Sequence, residues 1–320
     1  MLSLRAARRY SSARVSFTAS ANSLRRYTTA TPEASTDPAT YCRGLVRKHD
    51  YESFLISKFW PPELQDGYFA IKAFSTELAM VQDNVSVATI GSVRMQFWRD
   101  AVRDIYADKP PRHPVALALH AATQAANLPA YHLNRIVDAR DAELQADSYP
   151  SSDALVAHAE SVSASVLYLL LALRGLGGPA DLAHAASHVG TAATLATLLR
   201  ALPHHALHRR LPIPLDVCAR HGVQQEEVFR RGGAAVGVVD AVYEVAVLAN
   251  DHLLTAREVF KGSGGKVPAA AMPVFLVGVP VASFLGQLER VNFDGFSRQL
   301  AVRDWRLSWR IWSGYYRRLF

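Results

Sequence analysis

The sequence predicts an all-α fold, one bundle of helices with no sheet. From Tyr41 onward, apolar residues recur at three- and four-residue steps almost without interruption. No segment shows sustained period-two alternation bounded by hairpin turns. Composition agrees: of 320 residues, 50% are hydrophobic and 20% charged, which is ample apolar material for a core. No internal repeat or second composition regime divides the chain, so one domain is the simpler organisation.

The elements follow in order. Residues 1–27 are rich in Arg, Ser, Ala and Thr, and no carboxylate precedes Glu33. This is the composition of a mitochondrial transit peptide, with Arg25-Arg26-Tyr27 before Thr28 resembling a matrix-protease cleavage site. No uninterrupted apolar run follows the first arginines, which disfavours a secretory signal. Residues 28–40 form a Pro/Ser/Thr-rich spacer. The net charge of +7 belongs largely to this leader: setting aside the six arginines of residues 1–32 leaves 29 basic against 28 acidic residues. A basic, nucleic-acid-binding body is therefore not indicated.

The helical domain is expected over 41–300, with helices at about 41–58, 61–83, 88–107, 113–126, 129–146, 151–174, 179–202, 213–220, 224–231, 236–260, 267–278 and 281–291, and a terminal helix over 301–318. In the second helix Tyr68, Ile71, Phe74, Leu78 and Val81 share one face. Lys109-Pro110-Pro111 ends the third, and Ser151-Ser152-Asp153 is an N-cap region for the sixth. The stretch from Gly175 to Pro179 closes that sixth helix, and Gly262-Ser263-Gly264-Gly265 makes a flexible loop. Two apolar stretches invite a membrane reading. Val162–Leu173 is too short to span a core of about 30 Å, and Val267–Leu285 is interrupted by Pro268, Pro273 and Pro280, so both are expected to be core helices. Cys42 and Cys218 fit neither a disulfide framework nor a metal spacing.

Residues 51–83, YESFLISKFWPPELQDGYFAIKAFSTELAMVQD, place an aromatic-rich helix after a Pro pair and before an Asp-containing end. Further on come VDARDAEL at 137–144, the helix at 155–167, HVGTAATLATLLRALPHHALHRR at 188–210, and Ile213-Pro214-Leu215-Asp216. In this order and spacing the segments resemble the squalene/phytoene synthase family over about 41–300. The resemblance implies an isoprenoid-synthase-like helical bundle. It also implies a site where aspartates four apart on two facing helices hold Mg²⁺ against a prenyl diphosphate.

This chain departs from that pattern at the metal. The first motif falls on Ala79-Met80-Val81-Gln82-Asp83, leaving Asp83 alone of three expected aspartates. The second falls on Arg200-Ala201-Leu202-Pro203-His204-His205, where Ala201 and His205 stand in the places of the paired aspartates and Arg200 persists. Alanine offers no ligand and imidazole is a poor one for Mg²⁺. No catalytic residue, metal or cofactor is therefore expected. This degenerate pattern, with Ala-Phe-x-x-Glu-Leu-Ala at 73–79, resembles the complex I assembly factor 6 group within the family. That resemblance implies a non-catalytic role at the matrix face of the inner membrane, in early biogenesis of a membrane-embedded subunit. Its partners would be complex I subunits or other assembly factors. A Mg²⁺-dependent prenyl diphosphate transferase with a rearranged site and a lipid- or isoprenoid-binding protein remain alternatives.

Other signals are more ordinary. His204, His205 and His208, and the pair His184 and His188, lack a Glu or Cys to complete a metal set and read as polar surface. Asp138, Asp141 and Glu143 read as a solvated helix face. An apolar ligand would require the ancestral cavity to be retained, with Phe54, Phe69, Phe74, Leu167 and Leu171 as its expected lining. At the C-terminus, Trp305, Trp309, Trp312, Tyr316, Leu319 and Phe320 fall within about 100° of one another on a helical wheel. Arg303, Arg306, Arg310 and Arg317 occupy the adjacent sector. This pattern suits a helix at a lipid headgroup boundary, and equally one that docks its aromatic stripe on the core.

Overall fold

The computed structural model describes residues 37–85, 88–146 and 148–320; the expected transit peptide and all but the last few spacer residues lie outside them. Every regular element among the described residues is helical. The first, α1 (Pro38–His49), begins where Asp37 accepts a hydrogen bond from the Thr40 N–H at 3.1 Å and Pro38 opens the first turn. It does not continue to residue 58. Asp50 interrupts it and caps α2 (Tyr51–Ile56), accepting from the Ser53 N–H at 3.1 Å. In α3 (Gln65–Asn84) the expected face of Tyr68, Ile71, Phe74, Leu78 and Val81 is buried.

Around that face α1 packs with α4 (Ala88–Tyr106), α5 (Pro114–Ala125) and α6 (Ala130–Gln145), enclosing a first core that includes Met95, Leu119, Leu133 and Ile136. Next, α7 (Ser152–Ala159), a π-helical turn (Glu160–Ala164) and α8 (Ser165–Leu173) run on as one helix, capped as expected by Ser151, which accepts from the Ala154 N–H at 3.2 Å. A Cβ at Gly190 of α9 (Ala180–Arg200) would lie 2.6 Å from the Ala164 nitrogen, so the π turn and α9 touch backbone to backbone.

The second half of α9 lies along α13 (Val238–Glu258), and between them sits a second core with Leu195, Leu199, Val242, Val245 and Leu288. Pro203, in the first turn of the short α10 (Leu202–Leu207), separates that helix from α9; α9 ends close to the expected 202, and α10 is an element absent from the sequence expectation. Then come α11 (Leu215–Arg220), α12 (Gln225–Arg231), α14 (Met272–Phe275), α15 (Gly278–Arg290) and α16 (Leu307–Arg317).

Two helices, Ser152–Leu173 and Met272–Arg290, are long and apolar enough to cross a bilayer. The stretch Val162–Leu173, expected to be too short, lies within the first, whose 22 residues match the helix expected at 151–174, so length does not exclude a span. Both nevertheless bury more than half of their apolar windows inside the bundle. The terminal helix is also shorter than expected. Asp304 ties the preceding turn to α15, accepting from the Ser283 hydroxyl at 3.1 Å and from the Arg306 N–H at 3.0 Å. Helix therefore starts at Leu307, and Arg303, Trp305 and Arg306 precede it.

Candidate functional site

The face of α3 opposite its buried stripe presents Lys72, Ser75, Thr76, Ala79, Met80 and Asp83, at the spacing of a single helical stripe. Facing it, α9 presents Gly190, Ala193, Ala196, Thr197 and Arg200. Between these stripes lies a cleft of about 380 Å³, closed by Ser163 of the π turn, by Val166 and Leu167 of α8, and by Pro280, Val281 and Phe284 of α15. Four of the six sequence-selected motif positions thus meet here: Ala79, Met80, Asp83 and Arg200. Ala201 lies just past the end of α9, and His205 turns into a different, much smaller pocket beside Glu143, Tyr149 and Arg210. The second motif is therefore split, with Arg200 in the cleft and His205 outside it.

The chemistry of the lining is internally neutralised. Lys72 Nζ lies 3.1 Å from Asp50 Oδ2, and Arg200 pairs with Glu52. Burial pushes the Asp50 carboxyl upward, but the Lys72 ammonium and the Ser53 donors outweigh it and hold the group below its ordinary range. Asp83 reaches only His204, at 3.5 Å. A diphosphate entering this cleft would meet three carboxylates against two cations, with both cations already engaged. Mg²⁺ fits no better: the oxygen ligands that would share it are missing at Ala79 and Met80, and Asp50 and Glu52 are committed to internal partners. Among the described residues no group of three or more His, Cys, Asp or Glu side chains is arranged to hold a metal ion.

The pairs Asp50–Lys72 and Glu52–Arg200 escape a sequence reading. Asp50 lies just before the quoted segment at 51–83 and Glu52 at its start, neither in an Asp-rich position, and Arg200 lies 148 residues from its partner. The expected cavity lining is corrected. Of the five residues proposed, Leu167 lines the cleft, while Phe69, Phe74 and Leu171 are packed into the first core and Phe54 stacks against it. The open cleft is lined by polar and apolar side chains together. A second groove, of about 700 Å³, shares His49, Asp50, Glu52, Arg200, Pro280 and Phe284 with the cleft and runs out past Leu300, Val302 and Leu307 to Trp305. The Glu52–Arg200 pair stands where the two meet.

Glu143 is not on a solvated face. Its carboxylate is buried, 2.7 Å from Arg140 Nη1, and accepts from the Tyr149 hydroxyl at 3.2 Å, with His158 Nε2 at 3.8 Å. Burial pushes it up, but Arg140, His158 and Tyr149 together hold it below its usual range. Asp138 and Asp141 are more exposed and share Arg99, each at 2.8 Å. The histidines satisfy one another: His188 lies 3.0 Å from His184 Nε2 and 2.8 Å from His252 Nδ1, and His208 Nδ1 lies 2.9 Å from the His204 carbonyl oxygen.

With this geometry in place, comparison is informative. The family model for squalene/phytoene synthase matches residues 46–313. The chain belongs to the squalene/phytoene synthase family. Its fold is similar to the crystal structures of squalene synthase HpnC from Alicyclobacillus acidocaldarius (TM-score 0.70, 18% identity, covering 81% of this chain and 95% of that one) and of a dehydrosqualene synthase in complex with ligand (TM-score 0.74, 16%, 86% and 94%). At those identities the likeness shows the fold alone. Nearer in sequence are proteins named NADH dehydrogenase (ubiquinone) complex I, assembly factor 6. The one from Mus musculus is 43% identical over 278 residues, covering 84% of this chain and 81% of that protein; the one from Homo sapiens is 42% identical over 265 residues, 82% and 78%. The Drosophila melanogaster homolog is 34% identical over 281 residues, 85% and 82%. This member of the squalene/phytoene synthase family has a cleft between α3 and α9 lined by Ala79, Met80, Asp83 and Arg200.

Proposed function

We propose that this chain is a non-catalytic assembly factor for mitochondrial respiratory complex I, imported by the leader at 1–27 and peripheral to the matrix face of the inner membrane. In this reading it acts in early biogenesis of a membrane-embedded core subunit, with complex I subunits or other assembly factors as partners. The observation that carries it is the cleft: a synthase scaffold whose metal-binding positions hold Ala79 and Met80 and whose cations are already paired with Asp50 and Glu52. Relatives at 42–43% identity, named as complex I assembly factors, supply the direction. The scaffold is then a binding module, a pseudoenzyme of its family.

The test is complex I content and NADH:ubiquinone activity in mitochondria lacking the protein, on native gels beside the other respiratory complexes. A selective loss of complex I, rescued by a chain carrying both Asp83→Ala and Arg200→Ala, is expected. Rescue that fails with this variant, together with Mg²⁺-dependent release of diphosphate from a prenyl diphosphate by the wild type, would instead support the transferase. A second reading, an apolar ligand such as a lipid or isoprenoid, is favoured by the groove that continues the cleft to Trp305. It predicts a hydrophobic molecule that co-purifies with the protein and is detected by mass spectrometry.

A further inference from the structure

The C-terminal helix resolves an ambiguity that its sequence leaves open. Its inner face is anchored: Ile311 is fully buried, and the Tyr315 ring lies 4.8 Å from that of Phe59. Phe320 turns inward as well, stacking on Phe275 at 5.8 Å while its carbonyl oxygen accepts from Arg257 Nε at 2.7 Å. The aromatic stripe is on the other side. Trp309 is 66% exposed, Trp312 51% and Tyr316 65%, at i, i+3 and i+7, and Trp305 just upstream is 82% exposed. Of the five tryptophans in the chain, these three are exposed, and Trp60 and Trp98 are buried. The stripe does not dock on the core.

Charge is segregated onto the same segment. Residues 298–320 hold six arginines and one carboxylate, whereas residues 33–297 hold 23 basic and 27 acidic side chains. The single acid, Asp304, is engaged by Arg310 at 3.6 Å. Arg303 lies over Tyr51 at 4.6 Å and Arg306 over Trp305 at 5.1 Å. Among the described residues, Arg303, Arg306, Arg317 and Arg318 have no carboxylate within salt-bridge distance. Exposed indoles beside several guanidiniums that lack a carboxylate match the headgroup region of an anionic bilayer: the rings sit among glycerol and ester groups and the arginines reach phosphate.

We propose that the face formed by Trp305, Trp309, Trp312 and Tyr316, rimmed by Arg303, Arg306, Arg317 and Arg318, docks on an anionic phospholipid surface. This gives a physical form to the peripheral placement proposed above and rests on that placement, not on the complex I role. Ile311 and Tyr315 hold the helix to the bundle, so docking fixes the orientation of the whole domain and turns the mouth of the groove at Trp305 toward the lipid. Each arginine near an anionic surface strengthens partition roughly five-fold, so four supply roughly several-hundred-fold. The indoles add an apolar contribution that does not depend on salt.

The experiment is flotation of the full chain with vesicles of phosphatidylcholine alone and with about one-third phosphatidylglycerol. The basic leader is present in every sample, so comparisons are made between variants. Wild type is expected to float with the anionic vesicles, and its tryptophan emission to be quenched by brominated lipid. Trp305→Ser/Trp309→Ser/Trp312→Ser should weaken partition roughly ten-fold or more. Arg303→Gln/Arg306→Gln/Arg317→Gln/Arg318→Gln should lose the preference for anionic over neutral vesicles. Binding by the tryptophan variant equal to that of wild type would overturn the proposal, because the leader or another face would then be responsible. So would wild-type indoles that brominated lipid fails to quench, or a wild type that floats with neither vesicle, the result expected if a protein covers this face. Quenching is read on the unmodified chain and so does not depend on any variant folding. A complex I defect in the tryptophan variant despite normal vesicle binding would overturn the membrane assignment while leaving the assembly role intact.

Discussion

Gly190→Ala tests how the cleft is built. The added Cβ would sit 2.6 Å from the Ala164 nitrogen, 2.7 Å from its Cα and 2.9 Å from the Ser163 carbonyl carbon. Ordinary contact is about 3.5–4.0 Å, so α9 and the π turn would have to separate by about 1 Å. The clash is with backbone, so no rotamer change relieves it. Overpacking of a core costs about 1–3 kcal/mol, and this site belongs at the upper end. Alanine returns about 1 kcal/mol of helix propensity, which leaves a net loss of about 2 kcal/mol. For a domain of this size that is a fall in Tm of about 3–4 °C. Gly44→Ala is the matched control: it lies on the exposed side of α1, where an added Cβ meets nothing within 4 Å, and should gain up to about 1 kcal/mol. Thermal unfolding followed by circular dichroism, with urea titration for the free energies, measures both. If Gly190→Ala melts at or above wild type while Gly44→Ala rises, the close approach of α9 to the π turn is not what shapes the cleft floor.

Burial holds the Glu77 carboxyl up at about 7, despite a hydrogen bond from the Tyr41 hydroxyl that favours ionisation. The folded state therefore binds more protons than the unfolded one between about pH 4.5 and 7, and stability falls as pH rises through that window. Glu77→Gln should be more stable than wild type at pH 8 by up to about 3 kcal/mol, a gain that disappears below about pH 4.5 in denaturant titrations. His158 has the opposite slope. Burial lowers its pKa to about 4 despite the Glu143 carboxylate, so its contribution is present above about 6.5 and is lost as pH falls toward 4. His158→Gln should flatten the acid limb of the stability–pH curve by about 3 kcal/mol, and an unchanged limb would show that the imidazole is solvated. The two ion pairs of the cleft should separate by cost. Asp50→Ala strands the largely buried Lys72 and should cost about 3–5 kcal/mol, whereas a double-mutant cycle on the partly exposed Glu52 and Arg200 should give a coupling of about 1 kcal/mol or less.

Much of this molecule was legible before any coordinates. The face of α3 from Tyr68 to Val81 is buried as its spacing requires, the Ser151 cap holds, and the all-α class follows from an apolar period that never switches. Helix ends were less legible, for an identifiable reason. Asp50 breaks a helix inside an unbroken apolar pattern, because capping acts on a single residue while periodicity averages over a window. The Glu143 network was hidden in a stretch that reads as charged surface: Asp138 and Asp141 do face outward, and Tyr149 and His158, which close over Glu143, come from the next turn and the next helix.

The candidate site divides along the same line. Losses are visible in one dimension: Ala79 and Met80 in a motif that should be acidic can be read straight from the chain. Compensation is not, because it is made by residues outside the Asp-rich positions. Lys72 and Arg200 would be the natural diphosphate cations of such a cleft, and the fold spends them on Asp50 and Glu52. A cleft that had merely lost its metal ligands would keep uncompensated cations at the cost of their desolvation. Here the carboxylates that engage them, Asp50 and Glu52, sit at the junction of α1 and α2. The missing ligands and the engaged cations are separate features, and each works against binding a diphosphate. Both cations of the cleft are engaged, whereas Arg303, Arg306, Arg317 and Arg318, on and just before α16, have no carboxylate within salt-bridge distance among the described residues.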